Sequence, residues 1–252
     1  MVQNRTFLSR TVGYAWRRFA PLDAFVPESS AEDLKLIREV KPFTMTSPER
    51  IYGLLGAVRY LVANKIAGDI VECGVWKGGS MMAVAKALLA LKSTERDLYL
   101  YDTFAGMTAP TGKDSSRFER KATQESFDSM KEGNGTCKWC FSSLDETRRN
   151  VGTVPYPEQK VHFIKGPVEE TIPQNAPEKI ALLRLDTDFY ESSRHEMVHL
   201  FPRLVSGGVL LLDDYGHWEG QRLAVDEYLS EHKIPLLLNR LDYAGRIGIK
   251  LC

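Results

Sequence analysis

Apolar residues fall into short continuous runs along this chain, and longer segments of helical periodicity separate them. Such runs are typical of strands that are buried on both faces of a sheet. Five strands are predicted, over residues 69–73, 98–101, 161–164, 180–185 and 209–212. Because helical segments lie between them, the order predicts βαβ units and an α/β fold with a doubly wound, mostly parallel sheet.

The helical segments carry start and stop signals. Ser47 and Pro48 mark the start of an apolar helix that continues to about residue 65. Three more helices are predicted over residues 78–91, 190–204 and 221–231. Ser206, Gly207 and Gly208 are predicted to close the second of these three.

Two regions fall outside this alternation. Residues 1–46 are predicted to form an irregular or helical extension that covers the main domain, which is assigned to residues 47–252. The interval 103–160 is too long for an ordinary connection, which predicts a lid or an inserted helical segment over about residues 105–155. Its charged stretch 117–131 is interpreted either as part of that lid or as a solvated surface helix.

Composition limits the function classes. The chain has 252 residues, of which 43% are hydrophobic and 26% charged, as expected for a globular protein with one α/β domain and an extension. The 33 basic and 33 acidic residues cancel, which argues against a nucleic-acid partner. No apolar run is long enough to span a membrane, and the four cysteines show no disulfide framework, so we expect a cytoplasmic protein. The basic stretch 1–19 lacks a signal-peptide core and is interpreted as a surface helix, a frayed terminus or an amphipathic docking segment.

Paired acids follow two of the predicted strands. Asp186 and Asp188 end the first run, LLRLDTD, and Asp213 and Asp214 end the second, LLLDD. In a parallel sheet all four collect at the carboxyl edge, where open α/β sheets bind ligands. Because four carboxylates that converge there repel one another, the pattern indicates a divalent cation.

Each acid also has a structural interpretation. Asp188 could cap the helix that begins near Tyr190, and Asp186 could pair with Arg184 or Arg222. Asp213 and Asp214 could belong to a strand-end turn. Purely structural roles for all four acids are disfavoured, because no structural need places acids at both strand ends.

The first predicted strand leads into a glycine-rich turn. Gly74, Gly78 and Gly79 allow a sharp turn and close approach to a ligand, although they can equally be simple turn residues. The spacing is neither GxGxxG nor that of a P-loop. Asp102 ends the second strand and fits an acceptor for ribose hydroxyls, with a helix-capping role as the alternative. Together these features favour a nucleoside ligand.

Five separated motifs, read in order from about residue 47 to the C-terminus, resemble the macrocin O-methyltransferase family. They are GDIVECGVWKGGSM, LYDTFAGM, LLRLDTDFYESS, LVSGGVLLLDDYGHWEGQRLAVDEY and YAGRIGIK. The resemblance implies a Rossmann-like S-adenosylmethionine methyltransferase fold, S-adenosylmethionine and Mg²⁺ as cofactors, and methylation of a sugar hydroxyl on a natural product. The first 45 residues and the stretch 108–138 carry a much weaker likeness.

The resemblance also implies roles for individual residues. Those around the methionine part of the cofactor are Glu72, Gly74, Gly78 and Ser80. Asp102 holds the ribose, and Ser142 and Ser143 match loosely a segment near the adenosine. The expected metal ligands are Asp186, Asp213 and Asp214, with Asp186 also beside the cofactor, and Asp188 matches the general base. An all-oxygen ligand set suits Mg²⁺, which would lower the pKa of an acceptor hydroxyl, and two vicinal hydroxyls could chelate it.

Other residues near these motifs have two interpretations each. His217 could contact substrate or assist the base, or it could be a solvated loop histidine. Trp76, Tyr190 and Trp218 could stack on a sugar ring, with packing as the default. Cys137 and Cys140 form a single CxxC that lacks the second pair of a zinc ribbon, and we interpret them as incidental thiols.

The sequence therefore predicts an O-methyltransferase whose partner is a small hydroxyl acceptor, a sugar or glycosylated natural product. The resemblance adds a homodimer or higher homo-oligomer, with the N-terminal residues as candidate interface. Two other classes stay open: a nicotinamide oxidoreductase, disfavoured by the absence of GxGxxG, and a cofactor-binding protein without catalysis, disfavoured by the intact acids.

Overall fold

A computed structural model describes residues 21–116, 118–119, 123–133 and 136–251. The stretch 1–19, interpreted above as a surface helix, frayed terminus or docking segment, lies outside these residues. So do several positions of the charged stretch 117–131. No helix in the part of the chain that is described has both the length and the apolar character needed to cross a membrane.

A seven-stranded sheet forms the centre of the molecule. Its strands are β1 (Asp69–Cys73), β2 (Leu98–Asp102), β3 (Val161–Lys165), β4 (Ile180–Leu185), β5 (Leu204–Leu212), β6 (Asn239–Arg240) and β7 (Arg246–Ile249). Their spatial order is β3-β2-β1-β4-β5-β7-β6. The first five are parallel, and β7 runs antiparallel to both β5 and β6. The predicted α/β fold with a mostly parallel sheet is therefore confirmed.

Helices alternate with these strands as the hydrophobic pattern predicts. They are α1 (Ala31–Val40), α2 (Pro48–Ala63), α3 (Gly79–Ala90), α4 (Thr123–Met130), α5 (Leu144–Val151), α6 (Val168–Thr171), α7 (Tyr190–His199) and α8 (Glu219–Glu231). Ser47 caps α2 by accepting a hydrogen bond from the Arg50 amide, as its position before Pro48 predicts.

The predicted helix 190–204 is wrong at its C-terminal end. Helix α7 stops at His199, because Pro202 lacks an amide hydrogen and belongs to a short 3₁₀ turn. Ser206, Gly207 and Gly208 do not close a helix; they lie within β5. The Gly207 amide donates to the Lys250 carbonyl, and the Lys250 amide donates to the Gly208 carbonyl, which holds this segment against the C-terminal end of the chain.

Two apolar cores cover the two faces of the sheet. Alternate residues of β1 point to opposite sides, so that Ile70 packs with helices α1, α2 and α3, whereas Val71 packs with α7 and α8. Ile37 of α1 is fully buried in the first core. The N-terminal cover is therefore helical over α1 and contributes to the main core.

The long interval 103–160 contains two helices rather than one extended loop. Helix α5 packs against α3 and β3. Between α4 and α5, Lys131 and Cys137 form an isolated antiparallel bridge. The inserted segment thus has its own hydrogen-bonded structure and passes over the carboxyl edge of the sheet, where it supplies residues to the cavity described below.

Gly74 allows β1 and β4 to approach each other at the same edge. Its φ of +85° lies in the left-handed region, and its amide donates to the Tyr101 carbonyl. A Cβ at this position would lie 2.1 Å from the Asp186 carbonyl oxygen. Both the conformation and the contact therefore require glycine.

We predict that Gly74→Ala destabilises the protein by more than about 1 kcal/mol, because the new methyl group meets backbone rather than a flexible side chain. Gly56→Ala is the matched control. Gly56 is exposed in the middle of α2 with nothing within 4 Å of an added Cβ, so this change should stabilise by about 0.5–1 kcal/mol. Denaturant unfolding compares the two variants, and equal stabilities would contradict the assignment.

Candidate active site

A cavity of about 430 Å³ opens at the carboxyl ends of β1, β2, β4 and β5. Among the residues predicted from the sequence, those that line it are Gly74, Ser80, Asp102, Asp186, Asp188, Asp213 and Asp214. Four others lie outside the lining: Glu72, Gly78, Ser142 and Ser143. The glycine turn and the two acid pairs therefore share one site, as the topology of a parallel sheet predicts.

The turn after β4 aims its acids into this cavity. The strand ends at Leu185, and Asp188 adopts a φ of +66°, which is uncommon for a residue with a side chain. One carboxylate oxygen from each of Asp186, Asp188 and Asp214 lies within 4.8 Å of the others. This group could hold a metal ion.

Asp213 faces two arginines instead. Arg184 donates from Nη2 to Oδ1 at 2.6 Å, and Arg50 pairs with the other carboxylate oxygen. Arg50 also donates to the Asp213 carbonyl at 3.0 Å. Burial alone would raise the pKa of Asp213, but the two guanidinium groups outweigh it and lower this pKa below its ordinary value. Asp213 is consequently ionised.

The other three acids, Asp186, Asp188 and Asp214, have too few positively charged neighbours to be neutralised in the same way. Burial is the main cause that raises the pKa of Asp186 and of Asp214 well above the ordinary value, and repulsion by neighbouring aspartates adds to it. Burial likewise raises the pKa of Asp188 to about 7. The cavity side of the cluster is therefore the side where an added cation would be stabilised.

The structural alternatives for these acids are partly correct. Asp186 does pair with Arg184, at 2.8 Å between Oδ2 and Nη1, whereas Arg222 pairs with Glu219. Asp188 does not cap α7, because the N-cap residue Phe189 has no side-chain bond. The pairing of Asp186 uses one oxygen and leaves its carboxylate inside the group that could bind a metal.

Asp102 holds the glycine-rich turn in place. Its Oδ2 accepts hydrogen bonds from the amides of Val75 and Trp76 at 2.8 and 2.9 Å, and its Oδ1 accepts one from the Phe104 amide at 2.7 Å. Asp102 also lines the cavity. It is thus a turn organiser, and its position at the end of β2 is the one that the sequence predicts for a ribose acceptor.

The predicted cofactor residues outside the lining support this turn from behind. Ser142 shares a hydrogen bond with Thr147, whose hydroxyl donates to the Trp76 carbonyl at 2.6 Å. Ser143 caps α5. A Cβ on Gly78 would lie 2.5 Å from a methyl carbon of Val151, so this glycine permits α5 to pack closely.

Glu72 lies beneath the cavity and pairs with Arg184 at 2.5 Å. Burial is the main cause that raises the pKa of Glu72 to about 7. Its Oε2 is buried without a hydrogen-bond partner among the residues described. Glu72 is therefore positioned to orient Arg184, and through it Asp186 and Asp213.

The side chains offered as sugar-stacking candidates are engaged in packing or hydrogen bonds. Trp218 is buried against Trp139 and Phe189. Tyr190 donates its hydroxyl to Glu227 at 2.5 Å, and the Trp76 indole donates to the Phe141 carbonyl at 3.2 Å. Trp76 and Trp218 nevertheless also line the cavity.

His217 is more constrained than a solvated loop histidine. Its Nδ1 lies 3.1 Å from the Tyr243 hydroxyl, and its Nε2 lies 3.1 Å from a carboxylate oxygen of Glu119. Phe118 stacks on its ring at 5.5 Å. His217 thus connects the inserted segment to the edge of the acid cluster.

Cys137 and Cys140 are free thiols, as predicted. Cys140 lines the cavity, and burial, followed by the charge of Asp188, raises the pKa of its thiol. Cys137 is buried in the inserted segment.

Arg50 and Asp114 are functional residues that the sequence does not predict. Asp114 lies in the inserted segment, yet its Oδ1 accepts a hydrogen bond from the Tyr190 amide at 2.7 Å and so serves the first turn of α7. Its Oδ2 accepts bonds from the amide and hydroxyl of Thr111 at 2.7 and 2.9 Å. A Cβ on Gly220 would lie 2.0 Å from Asp114 Oδ1, so α8 requires glycine at this position. Neither residue has a local sequence signal, because their partners are far away along the chain.

Comparisons with known proteins identify relatives of this chain. A family model described as macrocin O-methyltransferase matches residues 37–247. A 4′-O-methyltransferase acting on a rhamnosyl-tetracenomycin C from Streptomyces olivaceus is 31% identical over 232 residues, which cover 90% of this chain and 85% of that protein. Demethyldecarbamoylnovobiocin O-methyltransferase from Streptomyces niveus is 29% identical over 202 residues, covering 80% and 73%.

Solved structures give the same fold. The O-methyltransferase NovP superposes with a TM-score of 0.71 at 28% identity, covering 83% of each chain. The calicheamicin methyltransferase CalS11 superposes with a TM-score of 0.60 at 19% identity over 90% of this chain and 89% of that one, and at this identity it supports the fold alone.

We predict that Asp114→Ala loosens the inserted segment, because the variant leaves the buried Tyr190 amide without its acceptor. The expected loss of stability is about 1–3 kcal/mol. Limited proteolysis within residues 103–133 should accelerate in parallel. Asp128→Ala is the control, since Asp128 is exposed on α4 and its hydrogen-bond donor among the described residues is Gln124. Equal proteolysis of the two variants would contradict the anchoring role.

Proposed function

The chain belongs to the macrocin O-methyltransferase family, and from that premise we propose that it methylates a hydroxyl of a sugar or other vicinal diol on a natural product. The methyl donor is S-adenosylmethionine. The observation that carries the proposal is the group formed by Asp186, Asp188 and Asp214, which share one cavity with the glycine turn and Asp102. A methyl donor and an activated hydroxyl need such adjacency.

We assign the donor to the end of the cavity beside Gly74, Ser80 and Asp102. Gly74 leaves room for close approach, and Asp102 stands at the end of β2, where a ribose acceptor is expected. In this assignment Glu72, Gly78, Ser142 and Ser143 act from outside the lining, as supports of the turn and of Arg184.

A divalent cation fits the acid cluster on charge. Two arginines, Arg50 and Arg184, lie among six acids. The acids are Glu72, Asp186, Asp188, Asp213, Asp214 and Asp242. The donor atoms of the acid cluster are carboxylate oxygens, which suit a hard ion such as Mg²⁺. We propose that Asp186 and Asp214 hold the ion together with Asp213, which would share its oxygens between the ion and the two arginines. When bound, it supplies Lewis acidity that lowers the pKa of a nearby hydroxyl.

Asp188 is proposed as the group that receives the proton. Its pKa of about 7, raised chiefly by burial, matches a base that works near neutral pH. When bound, S-adenosylmethionine would supply the methyl group for the acceptor oxygen and leave as S-adenosylhomocysteine. Asp188 would accept the proton of the acceptor hydroxyl.

His217, Glu119 and Tyr243 border the acceptor end of the cavity. Glu119 belongs to the inserted segment, so closure of this segment over the acceptor would bring a carboxylate to hydroxyl-bearing substrate. We propose that these three residues contact the acceptor rather than the cofactor.

The function is tested by calorimetry and by methyl transfer. We expect S-adenosylmethionine to bind and NAD not to bind. Transfer to a panel of glycosylated acceptors should be lost with EDTA and restored by Mg²⁺, because the acid cluster alone leaves excess negative charge. NAD binding without S-adenosylmethionine binding would support the oxidoreductase class, and full activity in EDTA would reject the cation.

The roles of Asp188 and Asp213 are separated by two isosteric variants. Asp188→Asn should lower turnover by about a hundredfold to ten-thousandfold while Mg²⁺ and S-adenosylmethionine still bind. Asp213→Asn should weaken Mg²⁺ binding, measured by titration calorimetry. Asp226→Asn is the control, since Asp226 is exposed and contacts Tyr215. The opposite pattern, with metal binding lost in Asp188→Asn and kept in Asp213→Asn, would exchange the two roles.

A further inference from the structure

Thr187 lies between the two acids of the turn after β4, and its hydroxyl is directed away from them. It donates to both carboxylate oxygens of Glu196, at 3.0 Å to Oε1 and 3.2 Å to Oε2. Glu196 belongs to α7 and has no solvent exposure. The turn that carries Asp186 and Asp188 is therefore tied to a buried carboxyl group behind the cavity.

A carboxyl group at this position is costly for the fold. Glu196 is fully buried, and its polar partners among the residues described are the Thr187 hydroxyl and the Cys73 thiol rather than a cation. Burial is the main cause that raises the pKa of Glu196 well above its ordinary value, which favours its neutral form. A leucine would fill such a place at lower cost, which indicates that hydrogen bonding accounts for the glutamate.

Backbone hydrogen bonds also hold the turn that carries Asp186 and Asp188. The Asp186 amide donates to the Cys73 carbonyl at 2.8 Å, and the Phe189 amide donates to the Thr187 carbonyl at 2.7 Å. Two side chains of α7 bond to Thr187: Glu196 accepts from its hydroxyl, and the Ser192 hydroxyl donates to its carbonyl at the longer distance of 3.4 Å. Because Asp188 sits in the left-handed region, which costs free energy for a residue with a side chain, such ties decide whether the turn persists.

We infer that Glu196 is a positioning residue, which holds the Thr187 hydroxyl and thereby aims the carboxylates of Asp186 and Asp188 into the cavity. Its catalytic consequence rests on the proposed function. Its structural consequence, the ordering of the turn, does not. Glu196 touches neither substrate nor cofactor in this assignment; it acts through Thr187, and it also shares a hydrogen bond with the Cys73 thiol beneath the turn.

Two variants remove the bond and two retain it. Thr187→Val keeps the branched shape and loses the hydroxyl, and Glu196→Leu loses the acceptor. Thr187→Ser and Glu196→Gln keep a donor and an acceptor, and glutamine mimics the neutral acid. Ser193→Ala is the matched control, because Ser193 lies on the same helix with a buried hydroxyl that has no partner among the residues described.

Hydrogen exchange of the peptide 183–190 is the primary measurement, with the rest of the chain as internal reference. We expect faster exchange in that peptide alone for Thr187→Val and Glu196→Leu, and wild-type exchange for Thr187→Ser, Glu196→Gln and Ser193→Ala. Faster exchange throughout the chain would show general destabilisation and overturn the inference. Thr187→Val is nearly isosteric, so it keeps the test decisive if Glu196→Leu does not fold.

Catalysis and metal binding give the second measurement. We expect kcat to fall by about 10- to 100-fold in Thr187→Val, with an unchanged dissociation constant for S-adenosylmethionine and weaker binding of Mg²⁺ alone. The kcat of the double variant Thr187→Val/Glu196→Leu should be no lower than that of the less active single variant. The reason is that both substitutions remove the same bond between Thr187 and Glu196. Additive losses would overturn the inference.

Failure of the proposed function and failure of the positioning role give different experimental results. If the wild-type protein transfers no methyl group, the proposed function fails, and the exchange measurement still decides the positioning role. If the wild type is active and Thr187→Val matches it in kcat, Mg²⁺ binding and exchange, the positioning role is overturned while the methyltransferase assignment stands.

Discussion

The buried guanidinium of Arg184 is the interaction on which the carboxyl edge of the sheet depends. It contacts Glu72 of β1, Asp186 after β4 and Asp213 after β5, so one side chain joins three neighbouring strands. Burying charges is costly, and such a group is stabilising only when its partners are complete. Arg184 meets this condition with a further bond to the Thr46 hydroxyl at 2.8 Å. The acids therefore converge without unfolding the edge.

The two arginines, Arg50 and Arg184, neutralise Asp213 more than they neutralise the other acids of the cluster. Arg184 is buried and pairs with one oxygen of Asp213, whereas Arg50 of α2 pairs with the other oxygen and also lines the cavity. Asp188 and Asp214 receive no arginine contact shorter than the ion-pair limit in the part of the chain described. Asp213 is therefore neutralised, whereas the other acids of the cluster lack enough compensating charge to ionise together. A small divalent cation is the complement that this asymmetry favours.

The sequence predicts the architecture well and the site only in outline. Runs such as 180–185 identify strands because burial on both faces demands continuous apolar residues, and the acids that follow them mark the functional edge. The end of α7 was missed because Gly207 and Gly208, typical helix stops, here serve a strand that pairs with the end of the chain. Arg50 and Asp114 were missed because each is defined by a partner far away in sequence, Asp213 and Tyr190 respectively. No local pattern encodes such pairs.

A single backbone contact couples the two halves of the site. Gly74 belongs to the turn assigned to the methyl donor, and its α-carbon faces the carbonyl of Asp186, the first acid of the metal group. The Asp186 amide in turn bonds to Cys73, one residue before that glycine. A shift of either turn must therefore move the other. Adjacent parallel strands thus provide what a transfer reaction needs, a fixed distance between the two turns that is set by the sheet and not by the inserted segment.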